Sequence, residues 1–188
     1  TQTQWKLIMG SNPSWFKGAN RPVETVAWHD ATSFCEKLTE VERKAGRLPA
    51  GMSYQLPTEA QWEYACRAGQ PGPYSGTGVL DDMGWYSGNA GGSHHPVGTK
   101  QANQFGLFDM HGNVWEWCED VYDSGFYNNV ELRGGPDPVA TSGSENRVFR
   151  GGFFASTAVR CRLAVRGSFR GPGLREGAVG FRPARPLP

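Results

Sequence analysis

Residues 147–182 read RVFRGGFFASTAVRCRLAVRGSFRGPGLREGAVGFR, a stretch in which arginines and glycines recur and lysine is absent. From Arg147 to the end of the chain there are nine arginines and one acid, Glu176, so this segment carries +8 and the remainder −7. A planar guanidinium suits fixed, bidentate pairing with carboxylates, whereas a phosphate-tracking patch ordinarily mixes in lysine. The tail is therefore expected to fold back onto the acidic body of its own domain. Nucleic acid is not expected as a partner.

Composition sets the class of fold. The 188 residues include 26 glycines, where an average chain of this length holds roughly 13, together with 13 prolines and seven tryptophans. Such a chain is rich in loops and packed on aromatic side chains. Its length suffices for a real core and falls within the range of one domain, expected to span residues 1–188. No apolar run approaches the roughly 20 residues needed to cross a bilayer. No signal peptide is legible in the opening TQTQWKLIMG, and that opening, which lacks methionine, leaves room for residues upstream.

Two helices are written clearly. Asp30 is expected to cap one whose apolar positions Ala31, Phe34, Cys35, Leu38 and Val41 recur at helical spacing until Gly46. Thr58 and Gln61 form a capping box for the second, which runs to Gly69. Residues 114–117 and 147–150 read as short strands between glycine-rich turns. No internal repeat or low-complexity linker is present. Cys35, Cys66, Cys118 and Cys161 show no metal-binding spacing, and no P-loop, G-x-S-x-G or G-x-G-x-x-G occurs.

Several blocks resemble the formylglycine-generating enzyme (sulfatase-modifying factor) family, in that family's order. They are MGSNPSWFKG (residues 9–18), RPVETVAWHDATSFC (21–35), LPTEAQWEYACRAG (56–69) and NQFGLFDMHGNVWEWCED (103–120). The C-terminal frame of Arg147, Arg150, Gly151, Gly152, Arg162, Ala164, Arg166, Pro172, Arg175 and Gly180-Phe181-Arg182 completes them. The resemblance implies an α+β, C-type-lectin-like fold with two helices, a small twisted antiparallel sheet and much irregular loop. Trp28, Trp62, Trp115 and Trp117 would fill its core, and Glu59, Glu63 and Glu116 would pair with the frame arginines. In secreted relatives the cysteines matching Cys35 and Cys66 have partners that would fall at Leu163 and Pro183. Cys35 and Cys66 are therefore expected to be free buried thiols, which leans towards a reducing, cytoplasmic compartment.

The family's oxidation of a substrate cysteine needs two cysteines of its own, as copper ligands or redox partners, four and nine residues after the Gly-Gly. Those places hold Ser156 and Cys161. A lone thiol cannot form that site, so no enzymatic activity of this kind is expected. His29 and His111 are read as structural, and Asp81-Asp82 and Glu119-Asp120 as solvated or loop-capping. No cofactor is required, but the resemblance matches Asp109, Gly112, Val114 and Glu116 to a calcium loop. The competing arrangement pairs Glu116 with a frame arginine instead.

What fills the C-terminal frame is unusual for the family. A subset of this fold serves as the target protein of diversity-generating retroelements, which rewrite a C-terminal gene segment by copying a template with errors at adenines. Ala155, Ser156, Thr157, Gly167, Ser168, Phe169, Gly177 and Ala178 stand where the family usually has Asn, and each is reachable from an AAC codon by adenine substitution. Phe153 and Phe154 replace Ser-Trp and are not reachable in this way; Glu176 is not either. The expected function is therefore binding, of the kind a paratope performs, without catalysis: the variable surface about 153–178 would contact a protein ligand. Its side chains would be Phe153, Phe154, Ala155, Ser156, Thr157, Ala158, Val165, Gly167, Ser168, Phe169, Gly171, Leu174, Gly177 and Ala178. The alternatives are a formylglycine-generating-type oxidase and a non-variable accessory or sensor domain of a larger protein.

Overall fold

Strand β3 (Trp115–Val121) lies between two partners because almost every one of its side chains is buried, on both faces. In the computed structural model, which describes residues 1–129, 136–169 and 171–185, β3 pairs antiparallel with β4 (Arg147–Arg150) and parallel with β6 (Val179–Gly180). Strand β5 (Arg166–Phe169) continues the sheet beyond β4, giving the order β5-β4-β3-β6. The expected antiparallel sheet is thus mixed at one edge. A separate two-stranded parallel ribbon joins β1 (Gly84–Trp85) to β2 (His111–Gly112).

Alternation along the strands divides the interior. Trp115 and Trp117 of β3, with Phe149 of β4, pack against Trp28, Ala31 and Cys35 of helix α2 (Trp28–Lys44). Cys118 and Val148 point the other way, towards Trp62 and Cys66 of a second helix, Glu59–Arg67. A third cluster gathers Trp5, Val23, Val26 and Phe34. The four expected tryptophans are all buried, and Trp5 joins them.

The helix signals hold with corrections. Helix α1 (Gln2–Met9), which the sequence reading did not mark, has its own capping box: Thr1 Oγ1 accepts from the Gln4 N–H at 3.2 Å. It stops at Gly10, whose φ of 82° lies in the left-handed region. Helix α2 starts three residues earlier than expected. Asp30 is its third residue, not its cap, and its carboxylate accepts the Ala27 N–H at 2.8 Å. Val41 turns out to solvent, because the buried face of α2 is carried by Trp28, Ala31, Phe34, Cys35 and Thr39. Helix α3 (Glu59–Arg67) has the Thr58/Gln61 box as read, with both reciprocal bonds made. A single-turn helix, α4 (Leu80–Met83), brings the total among the described residues to four α-helices.

The arginines of the tail close the structure. Arg150 is fully buried; it pairs with Glu63, lies 3.5 Å from Glu59 and donates to the Val165 carbonyl at 2.7 Å. Glu59, also buried, receives Arg166 through both oxygens at 2.7 Å, and the Arg166 guanidinium lies over the Tyr122 and Tyr127 rings. Arg182 grips Glu116 bidentately at 2.6 and 2.7 Å. Arg147 stacks on Trp28 with 3.8 Å between guanidinium and ring. Each of the three glutamates named from the sequence has an arginine partner. All four cysteines are free and buried, so Cys35 and Cys66 stand as expected.

Removing one member of a buried pair strands its partner's charge, at a cost of about 3–5 kcal/mol. Glu59→Ala is expected to lower unfolding free energy by about that much in urea titrations. Arg175→Ala, which breaks a half-exposed pair with Asp30, should cost about 1 kcal/mol or less. Equal losses from the two variants would contradict a central role for the buried network.

Candidate functional site

The loop after β4 is held by its backbone. Gly151 and Gly152 have φ of 97° and 83°, and a Cβ on Gly152 would lie 2.6 Å from Cys161 Sγ. The Gly151 carbonyl accepts from Gly112 at 2.7 Å, and the Phe154 N–H donates to Asn113 O at 3.0 Å. The Ser156 N–H reaches Phe153 O at 2.8 Å, while its carbonyl accepts from Ser87 at 3.0 Å. A 3₁₀ turn, Ala158–Cys161, then carries the chain back inside. Backbone bonds constrain the loop's path without specifying its side chains.

Side chains on this path divide into displayed and inward groups. Ala155 and Thr157 are exposed, and Phe153, Phe154 and Ala158 are half-buried. Phe154 meets Phe153 and Phe16 edge-on at 5.2 and 5.5 Å, and Phe153 also packs on the first core cluster beside Trp115. Ser156 does not belong to the displayed set: it is buried, and its hydroxyl accepts the Phe153 N–H at 3.1 Å. A short polar side chain closing its own turn leaves nothing to offer a ligand.

The other candidates are equally mixed. Gly167 lies opposite Phe149 across the β4–β5 ladder, and a Cβ there would fall 2.2 Å from the Phe149 ring. That position has no room for a side chain unless the ring moves. Val165 and Ala178 lean on the first core cluster. Ser168 lines a shallow cleft with Tyr122, Asp123, Ser144 and Asn146. The Phe169 backbone pairs with Arg147, and its side chain lies outside the described residues. Gly171 adopts a φ of 77° with open space where a Cβ would stand, and Leu174 is half-buried. A Cβ on Gly177 would sit at ordinary contact distance, 3.8 Å, from Trp15.

Trp15 was missed in the sequence. It is 79% exposed, unlike the core tryptophans, and its neighbour Phe16 contacts Phe154. Beneath them, buried Glu24 accepts the Phe16 N–H at 2.9 Å and the Thr25 hydroxyl at 2.5 Å, with His94 Nε2 at 3.5 Å. The available signal was local: an adjacent Trp-Phe pair between an Asn-Pro turn and Lys-Gly has little chance of burying both rings.

The chemistry of the site runs against thiolate catalysis. Cys161 is buried, and burial pushes its thiol up to about 12, so the nucleophilic and metal-binding form is suppressed. Ser156 stands at the place of the second sulfur. His111 is fully buried, with Nε2 accepting from the Ser75 N–H at 3.0 Å and lying 2.9 Å from Ser75 Oγ. Its Nδ1 lies 2.8 Å from the Cys161 carbonyl, an arrangement that suits a neutral ring bearing its proton on Nδ1. Burial lowers its pKa further. It braces the fold as read. Asp120 likewise holds the Glu59 and Ala140 N–H groups, and Asp82 accepts from Thr77 at 2.9 Å.

The residues matched to calcium fit that ion poorly. Asp109 and Asn113 are left-handed, with φ of 57° and 64°, and Asp109 Oδ1 is buried without a partner. Glu116, however, is taken: Arg182 holds both its oxygens, and Trp62 Nε1 donates to one of them at 2.6 Å. Calcium needs six to eight oxygen ligands, and the guanidinium sets a positive charge beside the loop. Among the described residues, no group of three or more His, Cys, Asp and Glu side chains is placed to hold a metal.

Comparison with known proteins places these features. The sulfatase-modifying factor enzyme 1-like domain matches residues 1–187. Among curated relatives, a protein called chaperone protein LppX from Paenibacillus barcinonensis is 32% identical, over 93% of this chain and 73% of its own length. The formylglycine-generating enzyme of Streptomyces coelicolor is also 32% identical, over 95% of this chain but 57% of its own length. Among solved structures, Treponema denticola variable protein 1 superimposes with a TM-score of 0.83 at 30% identity, covering 98% of this chain and 80% of that one. PvdO from Pseudomonas aeruginosa gives 0.75 at 26% identity, covering 92% and 65%. With its C-type-lectin-like α+β fold, its arginine frame and this match along its length, the chain belongs to the sulfatase-modifying factor enzyme 1-like family.

Proposed function

We propose that this chain is a non-catalytic ligand-binding protein whose C-terminal loops form a diversified recognition surface for a protein ligand. One observation carries the reading: the loop 151–158 is pinned by main-chain hydrogen bonds and glycine packing, while Ala155 and Thr157 project outward. A loop held by main-chain bonds and by the inward Ser156 hydroxyl can change its outward side chains at little cost to folding. The similarity to a protein named a variable protein supports the same reading.

The surface has anchors as well as variable positions. Phe154 and exposed Trp15, on separate segments that meet through Phe16, supply the large aromatic area on which interfaces concentrate their energy. Ala155, Thr157 and Gly177 supply small neighbours. Ser156 and Gly167, although reachable by adenine substitution, belong to the support.

Substitution should separate the two groups. Ala155→Tyr and Thr157→Arg are expected to change thermal stability little, by about 0.5 kcal/mol or less. Gly167→Val should cost about 1–3 kcal/mol or more through overpacking against Phe149. A scan in which 155 and 157 prove as intolerant as 167 would refute a displayed loop. Incubation with copper, oxygen and a thiol-bearing sulfatase peptide should give no formylglycine; turnover would restore the oxidase reading. For diversification, the DNA flanking the gene should hold a near-copy of the segment encoding residues 147–182, differing where the copy carries adenine, beside a reverse transcriptase. Its absence from the complete genome would leave a fixed binding domain.

A further inference from the structure

Segments remote in sequence meet at residue 177. A Cβ on Gly177 would stand 3.8 Å from the Trp15 Cβ and 3.7 Å from Glu24 Oε2, with no nearer neighbour among the described residues. Both are ordinary contact distances, so a side chain enters here without a clash. The Gly177 backbone lies outside the left-handed region and so does not demand glycine. Any longer side chain grows from a Cβ that already touches Trp15.

Trp15 is fixed at its base and free at its ring. On one side Ser14 is buried, its hydroxyl accepting the Glu24 N–H at 3.2 Å; on the other the Phe16 N–H donates to Glu24 Oε1 at 2.9 Å. The Phe16 ring meets His94 and Phe154 edge-on, at 5.2 and 5.5 Å between centroids. The Trp15 indole has no hydrogen bond, ion pair or ring contact among the described residues and is 79% exposed. An indole held only through its backbone takes its rotamer from whatever stands beside its Cβ. Residue 177 is that neighbour.

Glu24 gives the same position a second route to the anchor. It is fully buried, and its Oε2 accepts the Thr25 hydroxyl at 2.5 Å and retains a second lone pair. A hydroxyl or amide borne by residue 177 lies within reach of that oxygen, at about 2.7–3.0 Å. Thr25 has a φ of 62°, an outlier for a β-branched residue, and its N–H donates to the Glu176 carbonyl at 3.0 Å. Such a conformation persists only where the surroundings over-determine it. The chain at 176–177 is thus tied to the carboxylate that holds Phe16.

We propose that residue 177 is a specificity-determining residue of the recognition surface and acts by orienting Trp15. Glycine leaves the indole free to turn onto an apolar or aromatic side chain of the ligand. A branched residue confines the indole to one side, and a hydroxyl or amide residue, bonded to Glu24, stiffens the anchor at its base. One position in the diversified stretch thereby retunes an aromatic anchor carried by a segment outside it. This role rests on the reading of residues 153–178 as a recognition surface.

Protein labelled with 5-fluorotryptophan gives a fluorine resonance for each indole, with Trp15 assigned through Trp15→Phe. Gly177→Val and Gly177→Asn should move the Trp15 signal and leave that of Trp85, which stacks on His95, in place, with thermal unfolding unchanged within a few degrees. Gly177→Ala, which adds only the Cβ, should stay near wild type. Random peptides displayed on phage and enriched on the unmodified protein report binding. Those weakened tenfold or more by Trp15→Ala should be weakened similarly by Gly177→Val and spared by Gly177→Ala. A Trp15 signal indifferent to residue 177, or Trp15-dependent peptides that bind Gly177→Val as tightly as wild type, would overturn the proposal. Failure to enrich any Trp15-dependent peptide while the Trp15 signal still moves would instead overturn the recognition reading, and this role with it.

Discussion

The buried ion-pair network of Glu59, Arg150 and Arg166 is the constraint on which the rest depends. Arg150 lies in β4 and Arg166 in β5, while Glu59 opens α3, so one carboxylate ties the tail's two adjacent strands to the helix beneath the sheet. Buried charges cannot be left half-paired without a penalty of several kcal/mol. The C-terminal segment must therefore return to one register against β3. Arg182 repeats the device at the other edge, through Glu116 of β3.

With strand positions held by arginine and glycine, the connections between them are relieved of structural duty. The turn after β4 is closed by main-chain bonds and by the Ser156 hydroxyl, and its outward side chains touch little that the fold needs. This is the physical condition for a surface that varies on a scaffold that does not. It also explains why display is confined to a few positions: in a mixed sheet packed on both faces, most residues of the strands themselves face one core or the other.

The same packing bears on chemistry. Cys161 is enclosed beneath Gly152 and beside Ser156, where desolvation keeps its thiol protonated. Glu116 is a charge partner for Arg182 before it is anything else. Residues that resemble a reaction centre in sequence, and Glu116 of the calcium-like loop, are here engaged by the fold itself.

Much of this architecture was readable from residue order. The α3 capping box and the strand 147–150 follow from local spacing, and the folding back of the arginine tail from the charge imbalance between tail and body; the buried tryptophans and the glutamates that receive the arginines were what the family resemblance implied. Other features were not. Asp30 looks like a cap but serves as a third helical residue, since the extended Ala27 before it needed an acceptor. Helix α1 is short, and its burial depends on Phe34 and Phe181 from elsewhere in the chain. Whether a small residue in the tail is displayed or inward could not be told from its identity: Ala155 and Ser156 are neighbours with opposite fates, and Gly167 is fixed by a ring from the adjacent strand. Trp15 belongs to the surface only because the loop carrying it abuts residue 177. Sequence determined the α3 capping box and the short strand and turn segments, because those depend on neighbours along the chain. Tertiary structure alone decided what is displayed and what is support, because burial depends on which distant segments arrive beside a residue.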